Sequence, residues 1–151
     1  MARLTSYAAG MTSIHYAWRG ELTHDELADL HAEGFGGPPA AQADWPEQLR
    51  RHSLGWVCAR RAADGRLIGF VNVAWDGGAH AFLLDTVVAA DHRRLGVAAR
   101  LVALAEAEAG AAGCDWLHVD FEEHLRPFYL DACGFRPTPA GLIPLRAHAR
   151  T

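Results

Sequence analysis

Apolar and polar positions alternate over residues 13–19, and a period of two predicts a first strand there. Thr23 followed three places on by Glu26 is a capping-box pattern, and Leu27 and Leu30 then mark the apolar face of a helix over residues 23–35. The run "GGPPA" ends that helix. "DWPEQLRRHS" predicts a short second helix with Pro46 in its first turn. "LGWVCARR" and "RLIGFVNVAW" are β-rich runs joined by "AADG", a hairpin with Asp-Gly at its turn. A second turn, "DGG", follows Trp75. "HAFLLDTVVAA" is almost continuously apolar, which predicts a central strand covered on both faces. Residues 95–112 have a helical period, with Leu101, Val102, Leu104 and Ala105 on the core side. "CDWLHVDF" predicts another strand, and "EEHLRPFYLDAC" a helix stopped by Gly134. "FRPTPAGLIPL" predicts one or two final strands interrupted by prolines. The order describes an α/β fold of α+β type: a mixed sheet, hairpins first and right-handed crossovers later, with helices on both faces.

Composition narrows the function classes. The chain has 151 residues, half of them hydrophobic, enough for one core. Residues 1–12 are expected to form a loosely ordered extension, and residues 13–151 a single domain. The net charge of −4 gives nucleic-acid binding no electrostatic support. No apolar run approaches the ~18 residues of a membrane span, and the first residues lack the apolar core of a signal peptide. Cys58, Cys114 and Cys133 are odd in number and far apart. They suit neither a disulfide framework nor a CxxC metal site, and they fit a reducing cytoplasm.

The stretch "RRLGVA", residues 93–98, lies between the long apolar strand and the alanine-rich helix. The first N–H groups of a helix have no intrahelical partners and attract anions, phosphates above all. Gly96 removes a side chain where such a ligand would press on the backbone, and Ala98 keeps the next position small. Arg93 and Arg94 add charge-assisted donors. A capped helix with surface arginines is the plainer reading of the loop alone.

"VVAADHRRLGVAARLV" resembles the acetyl-CoA-binding segment of the GNAT superfamily of N-acyltransferases. That segment is a strand, then Arg/Gln-x-x-Gly-x-Gly/Ala, then a helix; here it falls on Arg93, Gly96 and Ala98. About thirty residues later "RPFYLDACGF" is similar to the family's Phe-Tyr-x-x-x-Gly-Phe, on Phe128, Tyr129, Gly134 and Phe135, with one additional residue in the spacer. The order of elements over residues 13–145 matches as well. The resemblance implies a GNAT fold and acetyl-CoA as co-substrate, with no metal. It implies that residues 93–98 (Arg93, Arg94, Leu95, Gly96, Val97 and Ala98) cradle the coenzyme A pyrophosphate. The acceptor it implies is a primary amine of a small molecule or peptide. Family members often dimerise, so a homodimer stays open. Ala98 stands where the family more often has Gly. Glu122 stands nearest the position of an Asn that many members use, with Phe128, along the pantetheine arm.

An alkyl ammonium must lose a proton before it can attack a thioester, so a general base or a water chain is useful. The resemblance implies direct attack without an acyl-enzyme, a carbonyl polarised by a backbone N–H near Val87 or Val88, and Tyr129 as general acid. Packing of the last helix is the alternative for Tyr129. Members often carry a carboxylate or histidine where this chain has Leu84 and Phe82, so the usual base is missing from its usual place. Asp85 is the one ionisable group inside "FLLDTVV" and is either catalytic or a structural acceptor. His118 and Asp120 lie two apart on a predicted strand, hence on one face. An imidazole suits a base at neutral pH, with Asp120 orienting it or holding a cationic amine; the alternative is a polar strand end. A His-x-Asp pair could also begin a metal site, but the sequence places no third ligand. Cys133 reads as a small core residue, not a covalent nucleophile. Trp45, beside the Gly/Pro-rich segment, is placed by the resemblance against the acceptor pocket. The expectation is a cytoplasmic acetyl-CoA-dependent N-acetyltransferase. A non-catalytic acyl-CoA-binding or regulatory module is the rival, and a structural domain with a coincidental loop is the second rival.

Overall fold

Five strands line up in sequence order, β1 to β5, in one sheet. They are β1 (Ile14–Trp18), β2 (Ser53–Arg61), β3 (Leu67–Trp75), β4 (His80–Val88) and β5 (Trp116–His118). Among the described residues three α-helices accompany them: α1 (His24–Phe35), α2 (Trp45–His52) and α3 (Val97–Ala111). The computed structural model describes residues 13–37 and 44–146, so the expected N-terminal extension lies outside the described residues. The chain forms two compact units, Met1–Val119 and Asp120–Thr151.

In the first unit β1 to β4 pair antiparallel, and β4 pairs parallel with β5 through the α3 crossover. Local chemistry sets the boundaries. Glu26 N–H donates to Thr23 Oγ1 at 3.2 Å, and Thr23 N–H donates to Glu26 Oε2 at 2.9 Å, the reciprocal capping box read from the sequence. Asp44 caps α2, with Pro46 in its first turn. Asp64 and Gly65, the latter at φ 74°, turn β2 into β3. Helices cover both sheet faces. Gly69 leaves room for Val97 and Leu101 of α3, whereas Val87, one place out of phase in the β3–β4 register, packs on Gly34 of α1. Phe70, Val71, Val73, Leu27, Leu49 and Leu101 form the buried centre.

Three expectations change. β4 is not covered on both faces: Phe82 and Leu84 are each 39% exposed, because neither α1 nor α2 reaches the end of the strand that they occupy. In the second unit, the expected helix over residues 122–133 is a 3₁₀ turn, Glu123–Leu125, followed by a single π-helical stretch, Pro127–Ala132. Pro127 contributes no N–H there, so the i to i−4 ladder has no donor at that point. Residues 135–145 contain no strand. Pro137, Pro139 and Pro144 remove ladder donors, and Leu142, Ile143 and Leu145 stand exposed.

Candidate functional site

β4 carries a bulge. Asn72 pairs with Leu84 and Phe70 with Val87, so Asp85 and Thr86 together face Val71. Asp85 sits at the bulge with φ 56°, a left-handed conformation that Asp tolerates better than most residues. β5 pairs with β4 only as far as Phe82–His118. Within the first unit, the outer edge of β4 is therefore open beyond that point. Ala89 N–H donates to Ile68 O at 2.8 Å on the β3 side, so strand alternation turns the N–H and C=O of Val88 toward the open edge. Arg93 Nε donates to that Val88 carbonyl at 3.3 Å. Of the two valines singled out by the sequence, Val88 presents its N–H outward, and Val87 buries its side chain against Gly34.

The loop that follows leaves backbone donors and positive charge uncompensated. Arg94 and Gly96 are left-handed, at φ 63° and φ 79°, and Gly96 leads into α3 without a side-chain cap. No acidic residue lies in the first turn of α3. Arg100 N–H to Gly96 O, 3.1 Å, closes that turn, which leaves the N–H groups before it unclaimed by the helix. A Cβ on Gly96 would stand in open space, so room exists for a ligand against the backbone. Arg93, Arg94 and Leu95 are exposed, and neither arginine has a carboxylate partner among the described residues. The nearby Asp91 is already engaged: Arg66, 2.7 Å away, and His92 hold its carboxyl at about 2. Val97 is buried, which anchors the loop, and Ala98 is half-buried behind it. These residues fit a pyrophosphate.

Facing β4 from α1 is a residue the sequence reading passed over. His31 Nε2 lies 3.1 Å from Asp85 Oδ1, with both side chains about one-third exposed. The imidazole packs on Phe35 at 4.4 Å and on Trp45 at 5.3 Å between ring centroids. Trp45 N–H in turn donates to His24 Nδ1 at 3.3 Å, which ties the start of α2 to α1. Most of the Gly/Pro-rich segment before Trp45 lies outside the described residues.

His118 is not arranged as the sequence suggested. β5 ends at His118, so Asp120 lies past the strand and the same-face argument fails. A strand continues only while a ladder partner does, and β4 offers none beyond Phe82. His118 Nε2 instead lies 2.8 Å from His80 Nδ1, and its ring stacks on Phe82 at 4.8 Å. Among the described residues no three His, Cys, Asp or Glu groups come together in a way that could hold a metal ion. Burial pushes the Cys58 thiol up to about 12, which makes it a core residue and not a nucleophile.

The second unit holds Asp120, Glu122, Phe128 and Tyr129. Tyr129 is 6% exposed, stacked on Phe121 at 5.0 Å, with Phe128 and Phe135 edge-on at 4.8 and 6.0 Å. The π-helical turn places its ring inside this aromatic cluster. Glu122 and Phe128 are exposed.

The profile of the acetyltransferase (GNAT) family matches residues 14–135, a span that begins at β1 and ends on Phe135. No curated protein sequence matches. Solved structures do. An acetyltransferase of Trypanosoma brucei shares 19% identity at a TM-score of 0.75, covering 87% of this chain and 99% of its own. Glucosamine-6-phosphate N-acetyltransferase from Arabidopsis thaliana shares 14% at 0.70, over 86% and 97%. Aminoglycoside N-acetyltransferase AAC(6')-Iy, solved in complex with CoA, shares 21% at 0.68, over 89% and 97%.

Proposed function

From the premise that this chain belongs to the GNAT acetyltransferase family, we propose that it is an acetyl-CoA-dependent N-acetyltransferase. It transfers the acetyl group by direct attack to a primary amine of a small molecule or peptide, in the cytoplasm. One observation carries the reading: the uncapped start of α3, entered through left-handed Arg94 and Gly96, lies just beyond the open end of β4 at Val88. Arg93 and Arg94 supply positive charge, and the backbone from Leu95 to Ala98 supplies donors for the pyrophosphate. Val88 N–H polarises the thioester carbonyl, an electrostatic contribution that grows as charge develops on oxygen. The resemblance in the second motif assigns Glu122 and Phe128 to the pantetheine arm and makes Tyr129 the proton donor to the departing thiolate. Of the acidic and basic groups considered for the acceptor amine, Asp85 on β4 is the candidate kept, because His118 is engaged with His80 and Asp120 lies past the end of β5. Two of the structural relatives are named for amino-sugar substrates, glucosamine-6-phosphate and aminoglycosides, which supports an amine acceptor.

A titration of coenzyme A followed by thermal unfolding tests the cofactor half. Binding to the native state alone raises Tm by an amount that grows with ligand concentration. No shift at saturating coenzyme A contradicts the reading. The exposed, apolar Leu84 and Phe82 favour a second reading, an acyl-CoA-binding module without turnover, since neither can take a proton. Binding without acetyl transfer to any amine supports that one instead.

A further inference from the structure

We propose that His31 is the proton acceptor for the incoming amine and that Asp85 is its positioning residue; this assignment rests on the acetyltransferase reading above. The observation is the 3.1 Å contact between His31 Nε2 and Asp85 Oδ1, made across 54 positions of sequence. One proton must lie between these atoms, because two lone pairs would repel. With the proton on Nε2, the carboxylate accepts it and the imidazole presents Nδ1 as a free base. Nδ1 has no hydrogen-bond partner among the described residues. Phe35 and Trp45 pack against the ring, which restricts its orientation before substrate arrives.

Placement agrees with the chemistry. His31 and Gly34 are one helical turn apart on α1, and so share a face. Gly34 packs directly on Val87, the residue next to the outward N–H of Val88. The same face of α1 therefore meets β4 at Asp85 through His31 and at Val87 through Gly34. The bulge is what makes the first contact: left-handed Asp85 turns its carboxylate to α1. His31 keeps about a third of its side chain exposed, so the pair is not sealed in the core. A polar pair held by a strained backbone position, next to the reactive edge of the strand, exceeds what packing alone requires.

The step balances. An ammonium gives one proton to His31 Nδ1, and the Asp85 carboxylate stabilises the resulting imidazolium. The neutral amine forms the C–N bond, the C–S bond breaks, and the second amine proton goes to the departing thiolate, so coenzyme A leaves as the free thiol. His31 returns its proton to solvent before the next turnover.

The test compares wild type with His31→Gln and Asp85→Asn, using acetyl-CoA and a primary alkylamine that the wild type acetylates. Asn is accepted at left-handed positions, so Asp85→Asn keeps the bulge. Both variants should bind coenzyme A as wild type does. Each should lose ~10²-fold in kcat/KM for the amine near neutral pH, the scale for removing a general base. The acidic limb of the wild-type pH profile should vanish in His31→Gln, whose activity should recover at alkaline pH, where the amine is neutral unaided. The double variant should be no slower than His31→Gln, because the two groups act as one unit. Wild-type rates and an unchanged acidic limb in His31→Gln overturn the pair and leave the acetyltransferase reading standing. Absence of turnover by the wild type on every amine overturns that reading, and the pair with it. If Asp85→Asn fails to fold, ¹⁵N shifts of the His31 ring in the wild type decide: the Nε2–H tautomer supports the pair and the Nδ1–H tautomer overturns it.

Discussion

Gly34 on α1 and Val87 on β4 stand so close that a Cβ added to Gly34 would overlap the Val87 Cγ2 methyl. This contact sets the distance between α1 and the strand that leads into residues 93–98. Gly34→Ala adds helix propensity worth ~1 kcal/mol but forces an overlap that typically costs ~1–3 kcal/mol. The clash wins, since Val87 is itself buried and has little room to yield. A Tm several degrees lower by calorimetry is expected, together with a raised KM for the amine as His31 shifts from Asp85. An unchanged Tm shows that the helix moves freely on the sheet.

Gly96 is required twice over. Its φ of 79° is left-handed, and the space where a Cβ would stand is open to a ligand. Gly96→Glu should abolish coenzyme A binding in an isothermal titration, through bulk and through negative charge set against phosphate. Gly96→Ala, which adds only strain of ~1–2 kcal/mol to the native fold, should lower stability more than affinity. Full coenzyme A affinity in a folded Gly96→Glu protein contradicts the loop assignment.

Tyr129 separates packing from chemistry. The Phe variant keeps the stack on Phe121 and the edge contacts with Phe128 and Phe135, and a thermal melt checks that the fold holds. Loss of the hydroxyl should lower kcat by ~10²-fold when chemistry limits the rate, with coenzyme A affinity unchanged. Full activity reassigns Tyr129 to a structural role.

Glu26 joins the cap of α1 to β2. Arg60 reaches it with two nitrogens, at 2.8 and 2.9 Å, while its other carboxylate bond caps Thr23. The Arg60 hydrogen bonds hold the Glu26 carboxyl at about 2 against an ordinary 4.5. A carboxyl lowered in the folded state stabilises the protein fully above its unfolded pKa. That contribution is lost as pH falls toward the folded value. The Tm gap between wild type and Glu26→Gln should be full at neutral pH and should close between about 4.5 and 2. A gap that persists at the acid end contradicts the role of the ion pair.

Much of the fold can be read from the sequence because local signals agree with tertiary ones. The capping box at Thr23 and Glu26, Asp44 with Pro46, and the turn at Asp64 and Gly65 each set an element boundary where the structure has it. The turn at Gly96 into the start of α3 is equally visible, since a glycine before an apolar helical run marks a helix boundary. The misses lie where tertiary geometry decides. The Asp85 bulge depends on register, which no local pattern states. Past Gly134 the apolar residues looked like strands, but proline chemistry prevailed. His31 escaped notice although a signal was present. Leu27, Leu30, His31 and Gly34 fall at helical spacing on one face, so a histidine and a glycine occupy the side that α1 turns to the sheet.

The central claim is acetyl transfer to an amine by a protein that holds coenzyme A at residues 93–98. Its most direct measurement incubates the purified chain with acetyl-CoA and a panel of cationic amines, amino sugars and short peptides. Mass spectrometry follows each amine while free thiol is titrated in parallel. The account predicts at least one N-acetylated product, with one coenzyme A thiol released per amide formed and neither product in the Gly96→Glu variant. Coenzyme A binding with no acetylated amine anywhere on the panel, or acetylation that survives Gly96→Glu, would contradict it.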